Sequence, residues 1–592
     1  MLSHFECIIQ QKLLAGIEVF SIRDRSVTEL VHRRCQEGLL HNKYFHIFKD
    51  ILSDCYSHLL VMDEISTDKQ RLKLNELAFF QRILLKHGSI ADIKELFMFN
   101  FDYLFGKLTC FSFAHLYNEV TTITTAYPDD FELKVLSEIV ELSKEGLGLD
   151  SSQFPLQVIG RMDPTKLSSQ SSFLLKRLND EALSLCSVLK PNRACLLSPS
   201  ELSSLSKEEQ NQWTCKELKF MFFSNPEYEI VGWRTDIQEI FYFDRNCTVQ
   251  RSEVFDGLNK IVLTMENHLL IETKLGIHVL YNMTSRQTVF SVHNGFDVVG
   301  TDQAHRLILV RTDTRQIKMI DIKKCNTAWT FNSNEPYNNV CLSTNGRTVL
   351  CFSDNRRKTP TRNKRLNGHY SSPGSHHSSP SPNSSLLYVA EENIREDEDE
   401  EETYEEITVL DLDHLSKVTT INLPTEASFS KFHLMSEDGA YYVRITEPDM
   451  NILVWDLATG HVQSTIETNC CRIVRIAVSA VGNVVVTASS DASVRVFNLG
   501  DGSLRYTLTD CVKSVRMDGQ HCLALSPDGK ICVYFVRSNF QPSFISVWNL
   551  YNGGQLASLT TDFYGLSYQI SNDSTFLVSN FPSGLVRFDL SI

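Results

Sequence analysis

Eight short stretches of the sequence end in the same way, and their spacing restricts the possible folds more than any other feature. "EIFYFD", "HVLYNM", "IKMIDI", "TVLDLD", "LVWDLA", "RVFNLG", "SVWNLY" and "VRFDLS" carry Asp244, Asn282, Asp321, Asp411, Asp456, Asn498, Asn549 and Asp589 at the point where the apolar alternation stops. A period of two places alternate residues on opposite faces, which is the pattern of a strand. Successive gaps between the closing residues are 38, 39, 90, 45, 42, 51 and 40. The long gap holds fifty residues, 355–404, and without them it falls to 40. A multi-strand unit of roughly 40–45 residues, repeated, predicts the blades of a β-propeller.

A second signal keeps step with the first. Tight turns of the form Ser-x-x-Gly precede several of these strands: Ser343 to Gly346, Ser436 to Gly439, Ser479 to Gly482 and Ser526 to Gly529, with Ser571 to Ser574 as a degenerate copy. In "SAVGNVVVTASSDASVRVFNLGDGSLRYTL" and "ILVWDLATGHV" the chain resembles the WD-repeat family. The resemblance matches Asp491 to the family's b–c turn aspartate and Phe497 to its tryptophan position. Trp455-Asp456 is a literal match; Trp548, Asn549 and Asp589 complete the blade signature in the later units. No Gly-His dipeptide opens each unit, so the resemblance implies the architecture rather than the family's His-Ser-Asp-Trp network. Eight sets of three strands are countable; eight blades, or seven with one irregular unit, are both compatible. The eighth set ends close to the last residue, so an N-terminal segment is expected to supply its outer strand, which removes an open edge. Trp213 to Phe220, "WTCKELKF", is the candidate.

From Met1 to about Leu218 the pattern is helical. In "PDDFELKVLSEIVELSKEG", Phe131, Val135, Ile139 and Leu142 recur at steps of four and three, predicting one apolar helix stripe. Pro128, Asp129 and Asp130 suit its first turn and Gly146 its exit. "RLKLNELAFFQRILLKHGSIADIKELF" predicts two helices broken at Gly88, with Ser89 and Asp92 at capping-box spacing. The expected organisation is therefore an α region followed by an all-β one. Residues 1–60 are expected to be helical, 61–212 a helical arm, and 213–592 a WD40-like β-propeller of seven or eight blades.

The insertion 355–404 builds no core. Its first half holds Arg356, Arg357, Lys358, Arg362, Lys364 and Arg365, a basic motif suited to nuclear import or an acidic partner. Thr359, Ser372, Ser379 and Ser381 each precede proline and are candidate regulatory phosphorylation sites, each phosphate adding nearly two negative charges. Glu391, Glu392 and the run from Glu396 to Glu402 make the second half acidic. The expectation is a disordered tether replacing one b–c turn.

Composition narrows the function. A net charge of −15 argues against a general nucleic-acid binder, which needs a basic face to release phosphate counterions. No stretch approaches roughly eighteen uninterrupted apolar residues, so no membrane partner is expected. Sixteen cysteines without C-x-x-C spacing predict reduced, mostly buried thiols in a cytoplasmic protein, with nuclear access through the basic motif. Neither a G-x-S-x-G elbow nor an H-E-x-x-H helix is present, and His369, His376 and His377 lie in the Ser/Pro stretch, where they form no defined metal site. No catalytic residue, metal, cofactor or small-molecule substrate is expected.

The helical third resembles the segment following the winged-helix region in NACHT and WD-repeat proteins of the signal-transduction NTPase class. Arg71, Leu74, Glu76, Leu77, Phe101, Tyr103, Leu104 and Lys107 carry one motif; Gln153, Pro155, Gln157, Gly160 and Arg161 of "QFPLQVIGRM" carry a second, just before the propeller. The resemblance implies the C-terminal part of such a protein, with residues 1–60 as a remnant of the winged-helix region. No G-x-x-x-x-G-K-[ST] loop is present to cradle phosphates, so the NACHT module itself is missing. The expected function is a non-enzymatic scaffold binding protein partners through its propeller faces. Two alternatives are the regulatory portion of an ATP-dependent signalling assembly whose NACHT module is upstream or on another chain, and a substrate receptor of a ubiquitin ligase.

Overall fold

The computed structural model describes strands at 9–14 and 17–22 and most of the chain from residue 70; the longest stretches outside the described residues are 23–69, 163–172, 198–217, 358–401 and 509–519. A helical N-terminal region is followed by small antiparallel four-stranded sheets, eight of them among the described residues. The chain divides into two compact units, 1–291 with 470–592, and 292–469.

The first unit contains the helices. Within 1–60 the expectation of helix is corrected only where residues are described: Ile9–Leu14 and Ile17–Ile22 pair as antiparallel strands, and 23–60 lie outside the described residues. Only Ala15 and Gly16 separate these two runs rich in β-branched and long apolar residues, and a two-residue connection favours a hairpin. Helical residues described between 70 and 85 bury Leu74, Leu77 and Leu84. There follow α1 (Ile90–Ile93) with a π turn over Lys94–Met98, α2 (Phe101–Cys110), α3 (Phe113–Ala126), α4 (Phe131–Leu142), α5 (Lys144–Leu149), α6 (Phe154–Arg161) and α7 (Phe173–Leu185). Leu116, Val120 and Ile123 of α3, Leu133, Leu136, Ile139 and Val140 of α4, and Leu175, Leu178 and Ala182 of α7 share one core. The expected stripe on α4 is therefore rotated. Phe131 stays 56% exposed, because Lys94 Nζ pairs with both Asp130 (2.8 Å) and Glu132 (2.7 Å) and fixes the turn of the helix. Gly146 does not end the helix either. Helix α4 stops at Leu142, and Gly146 sits inside α5, where a Cβ would lie 2.7 Å from Gln157 Nε2.

The same unit holds the first (219–254), second (258–292, its last residue in the other unit), sixth (473–508) and seventh (520–560) sheets, each a run of consecutive strands, and the eighth, of whose four strands three are consecutive within 568–589. Val484, Val486 and Val496 of the sixth sheet pack on Cys532, Tyr534 and Trp548 of the seventh, so neighbouring sheets bury each other's faces. The predicted outer strand of the last sheet is corrected. Lys219–Phe222 is the first strand of the first sheet, paired with Ile230–Arg234. The eighth sheet is completed instead by Lys190–Pro191, register partners of Asp589 and Phe588. This strand falls inside the expected helical arm. Proline is tolerable there because the strand is at the sheet edge.

The second unit holds the third (297–332), fourth (339–422) and fifth (428–466) sheets. Leu350, Ile407 and Val409 of the fourth pack on Tyr442 and Trp455 of the fifth. The insertion does lie between the second and third strands of the fourth sheet, yet it is shorter than expected. Thr348–Arg357 pairs with Glu402–Asp411 along its whole length, leaving 358–401 as the connection, and those residues lie outside the described ones.

Turn chemistry explains the repeat. The buried Ser436 Oγ accepts the Tyr441 N–H at 2.9 Å and donates to Asp438 at 2.6 Å; Ser526 does the same with Ile531 (2.9 Å) and Asp528 (2.6 Å). Ser343 takes the Thr348 N–H at 2.9 Å and Ser571 the Phe576 N–H at 3.1 Å. One hydroxyl thus joins the two ends of each of these four turns, whereas Ser479 Oγ accepts the Gly482 N–H at 3.2 Å.

Candidate functional site

Between third and fourth strands the closing Asp or Asn acts on backbone. Asp456 Oδ1 accepts the Ala458 N–H at 2.8 Å, Asn549 Oδ1 the Tyr551 N–H at 2.8 Å, and Asp411 Oδ1 the Asp413 N–H at 2.7 Å. These are Asx turns, so the residues set the hairpins. Trp455, Phe497 and Trp548 are buried in third strands, with Trp548 Nε1 donating to Ser546 Oγ at 2.9 Å. Asp589 pairs with Arg587 at 2.8 Å. Asp491 is outside the described residues, as are Thr359, Ser372, Ser379, Ser381, Lys358, Arg362, Lys364 and Arg365. Arg356 and Arg357 fall within the long strand of the fourth sheet.

The arrangement that stands apart is the joint between the helices and the seventh sheet. Asp150 caps a 3₁₀ turn by accepting the Ser152 N–H at 2.9 Å, and α6 follows with proline in its first turn, where a missing N–H is harmless. Gln153, Gln157 and Arg161 recur at steps of four and so share a face. Gln153 Oε1 accepts the Thr560 N–H at 2.7 Å and Gln157 Nε2 donates to the Thr560 carbonyl at 2.8 Å. The two amides take the place of a neighbouring strand at the end of Gln555–Thr560, the outermost strand of its sheet. The last three residues of that strand are buried, whereas Val249–Val254, the outer strand of the first sheet, buries none.

Arg161 is 2% exposed. Its guanidinium grips both oxygens of Asp562 at 2.8 Å. It also donates to the Leu142 carbonyl (2.9 Å), the Leu197 carbonyl (3.1 Å), Ser143 Oγ (3.0 Å) and Gln157 Oε1 (2.9 Å). A buried charge is tolerated only when paired and hydrogen-bonded in this way. Asp562 closes the cluster by accepting the Leu197 N–H at 2.9 Å. One residue therefore ties together the end of α4, α6, the extended segment at 195–197 and the chain leaving the seventh sheet. At Gly160 the carbonyl receives the N–H groups of Cys195 (2.9 Å) and Leu196 (2.8 Å), and a Cβ would lie 2.8 Å from the Leu196 side chain. Burial first, and the Asp562 charge second, push the Cys195 thiol well above its usual range and leave it unreactive.

The extended segment continues the contact. Asn192 donates its N–H to the Arg587 carbonyl at 2.9 Å, and its Nδ2 to the Asn246 carbonyl at 2.7 Å; Arg193 reaches the Cys247 carbonyl at 2.7 Å. It thereby links the eighth sheet to the turn at 244–248 of the first.

Of the first motif, Arg71, Leu74, Leu77, Phe101, Tyr103, Leu104 and Lys107 serve the helical core, and Glu76 lies outside the described residues. Arg71 Nε donates to the Cys110 carbonyl at 2.7 Å, and the buried Lys107 pairs with Glu119 at 3.1 Å. No group of three or more His, Cys, Asp or Glu suited to a metal occurs among the described residues. Among them, too, no helix is long and apolar enough to cross a membrane.

No protein-family model matches the sequence, and no curated protein matches it. Among solved structures, the crystal structure of BamB from Moraxella catarrhalis is similar at a TM-score of 0.37 and 12% identity, covering 63% of this chain and 96% of that one. A likeness at that level carries no functional inference.

Proposed function

We propose that the chain is a non-enzymatic scaffold that displays protein-binding surfaces on a WD-repeat-like propeller, with a helical arm held to it at a fixed angle. The observation that carries this reading is the Gln153–Gln157–Arg161 face of α6. It spends a buried, fully hydrogen-bonded arginine on attaching helices to a sheet edge. Such a joint transmits position, and no reacting group is placed by it.

In this reading the eight four-stranded sheets are the blades. Support comes from the consecutive order of strands within seven of the eight sheets and from contact between first strands of neighbours, Ile473–Ser479 with Gln520–Leu525 in one unit and Asp297–Thr301 with Asn339–Leu342 in the other. The helical arm has the form that couples a propeller to a NACHT NTPase, and the second motif of that resemblance supplies the joint. The regulatory alternative, with the NTPase module elsewhere, differs in one measurable respect. Native mass spectrometry of the chain isolated from its own cells is expected to show stoichiometric protein partners and no nucleotide. Tight binding of magnesium-ATP by the purified chain alone would overturn the scaffold reading.

A further inference from the structure

The outer strand of the eighth sheet, Lys190–Pro191, is two residues long, against five to seven in the other seven sheets. It is held to its sheet by few bonds. Proline donates no N–H, and beyond the strand Asn192 adds one bond to the Arg587 carbonyl (2.9 Å) and accepts the Arg587 N–H on its own Oδ1 (3.1 Å). The position of the segment 188–197 is therefore set at its ends. At one end Leu189 is fully buried in the core shared by the seventh and eighth sheets, with φ at +61°. A leucine in the left-handed region is strained and persists only where its surroundings over-determine it. At the other end Cys195 and Leu196 donate to the Gly160 carbonyl of α6, and Leu197 accepts from Arg161 and donates to Asp562.

Between these anchors the segment reaches the first sheet. Asn192 Nδ2 donates to the Asn246 carbonyl and Arg193 to the Cys247 carbonyl, both at 2.7 Å. The receiving turn is built without the strap. Asp244 Oδ1 accepts the N–H groups of Asn246 and Thr248 at 2.9 Å each, and Cys247 has φ at +59°. Arg587, whose backbone Asn192 holds, crosses the same seam: it donates to the Arg245 carbonyl at 3.2 Å, with its guanidinium 4.4 Å from the centre of the Phe576 ring. One short strap thus joins the chain leaving the seventh sheet, the last strand of the eighth and the turn at 244–248 of the first, all within the first unit.

We propose that 188–197 is a conformational latch: docking of α6 on the seventh sheet and closure of the seam between the eighth and first sheets are one coupled event, and displacement of the helices from Thr560 and Asp562 loosens that seam. This goes beyond the scaffold reading, since the arm then controls the sheets to which it is attached.

The test is hydrogen–deuterium exchange of the full chain, read by mass spectrometry, because local opening shows as faster exchange of the amides it frees. Gln153→Ala with Gln157→Ala removes both contacts to Thr560 and leaves every hydrogen bond of the strap in place. Exchange is expected to rise at 555–560 and also at 584–589 and 244–248, by at least about fivefold at each. Coupling is reciprocal, so Asn192→Ala with Arg193→Ala should raise exchange at 153–161 and 555–560 by a similar factor. Residues 484–498 of the sixth sheet should be unchanged in both. Faster exchange confined to the altered contact would overturn the latch, as would an equal rise at 484–498, which is general loosening. Gln153→Ala alone, which keeps the Gln157 bond to Thr560, carries the same expectation should the double variant not fold. Independent exchange at the two ends of the strap would sink this inference and leave the scaffold reading intact, because that reading needs the arm attached and not the seam coupled to it.

Discussion

Arg161 concentrates the attachment of the helices in one side chain, and the consequences of removing it follow from its burial. Arg161→Ala would leave Asp562 partly buried without its cation and would orphan the Leu142 and Leu197 carbonyls. Breaking a buried pair from one side costs about 3–5 kcal/mol, whereas replacing both partners by apolar residues is often near neutral. The single variants Arg161→Ala and Asp562→Ala should each lower the denaturant midpoint strongly, while Arg161→Met with Asp562→Leu should recover much of the loss. Additive effects in that cycle would show that the pair is not a unit. Asp102, in the first turn of α2, supplies a pH dependence. Burial first, then the Glu181 charge, raises its carboxyl from 3.8 to about 6. The folded state therefore holds the proton more tightly than the unfolded one, so this contribution to stability is complete below pH 4 and is lost as pH rises to 6. Asp102→Asn should flatten that part of the stability curve and, after discounting for a half-exposed group, add on the order of 1 kcal/mol at pH 7. An unchanged slope between pH 4 and 6 would refute the assignment. Arg161 and Gln157 were visible in the sequence through a motif, but Asp562 was not. It lies 401 residues from Arg161, and nothing local marks it.

At the scale of elements, strands were legible because their turns write a chemical signature into the sequence. Ser343, Ser436 and Ser526, which open Ser-x-x-Gly turns, are buried and bonded to backbone five residues on, a contact that alanine or glycine could not make. Ser436→Ala would leave the Tyr441 N–H without its acceptor and should destabilise by about 1–3 kcal/mol. At Gly529 the backbone has φ +67°, and a Cβ would lie 2.6 Å from the Gly482 Cα. Gly529→Ala should therefore cost about 1–3 kcal/mol in backbone strain alone, and more if the neighbouring turn is displaced. Thermal unfolding of both variants checks the pair; a neutral Gly529→Ala would mean that the close approach of the two turns does not exist. Helices were less legible than strands. The existence of α4 followed from its period, but its rotation was set by Lys94, which lies outside the helix and meets Asp130 and Glu132. The outer strand of the eighth sheet escaped for another reason. Lys190–Pro191 is two residues long and carries proline, so neither alternation nor strand propensity could reveal it.

For the molecule as a whole, the order in which the chain supplies its sheets matters more than the strength of any one contact. The fourth sheet takes two strands from before 358–401 and two from after it, with ten register pairs across the divide. The eighth sheet takes Lys190–Pro191 from the first half of the chain and its other strands from the last thirty residues. The α6 joint likewise clasps Thr560 and Asp562 from across the sequence. A cut within 358–401 therefore separates two fragments that share two sheets and a buried ion pair. Placing a specific protease site at residue 380 and cleaving the folded protein should give fragments that co-elute in size-exclusion chromatography and part only in denaturant. The cut removes the effective concentration that the connection supplied, so the fragments are held only by the shared strands and the ion pair, and their association becomes concentration-dependent. Separation of the fragments without denaturant would mean that the strand pairing across the insertion and the α6 joint are too weak to organise the chain. It would remove the physical basis for a helical arm held at a fixed angle.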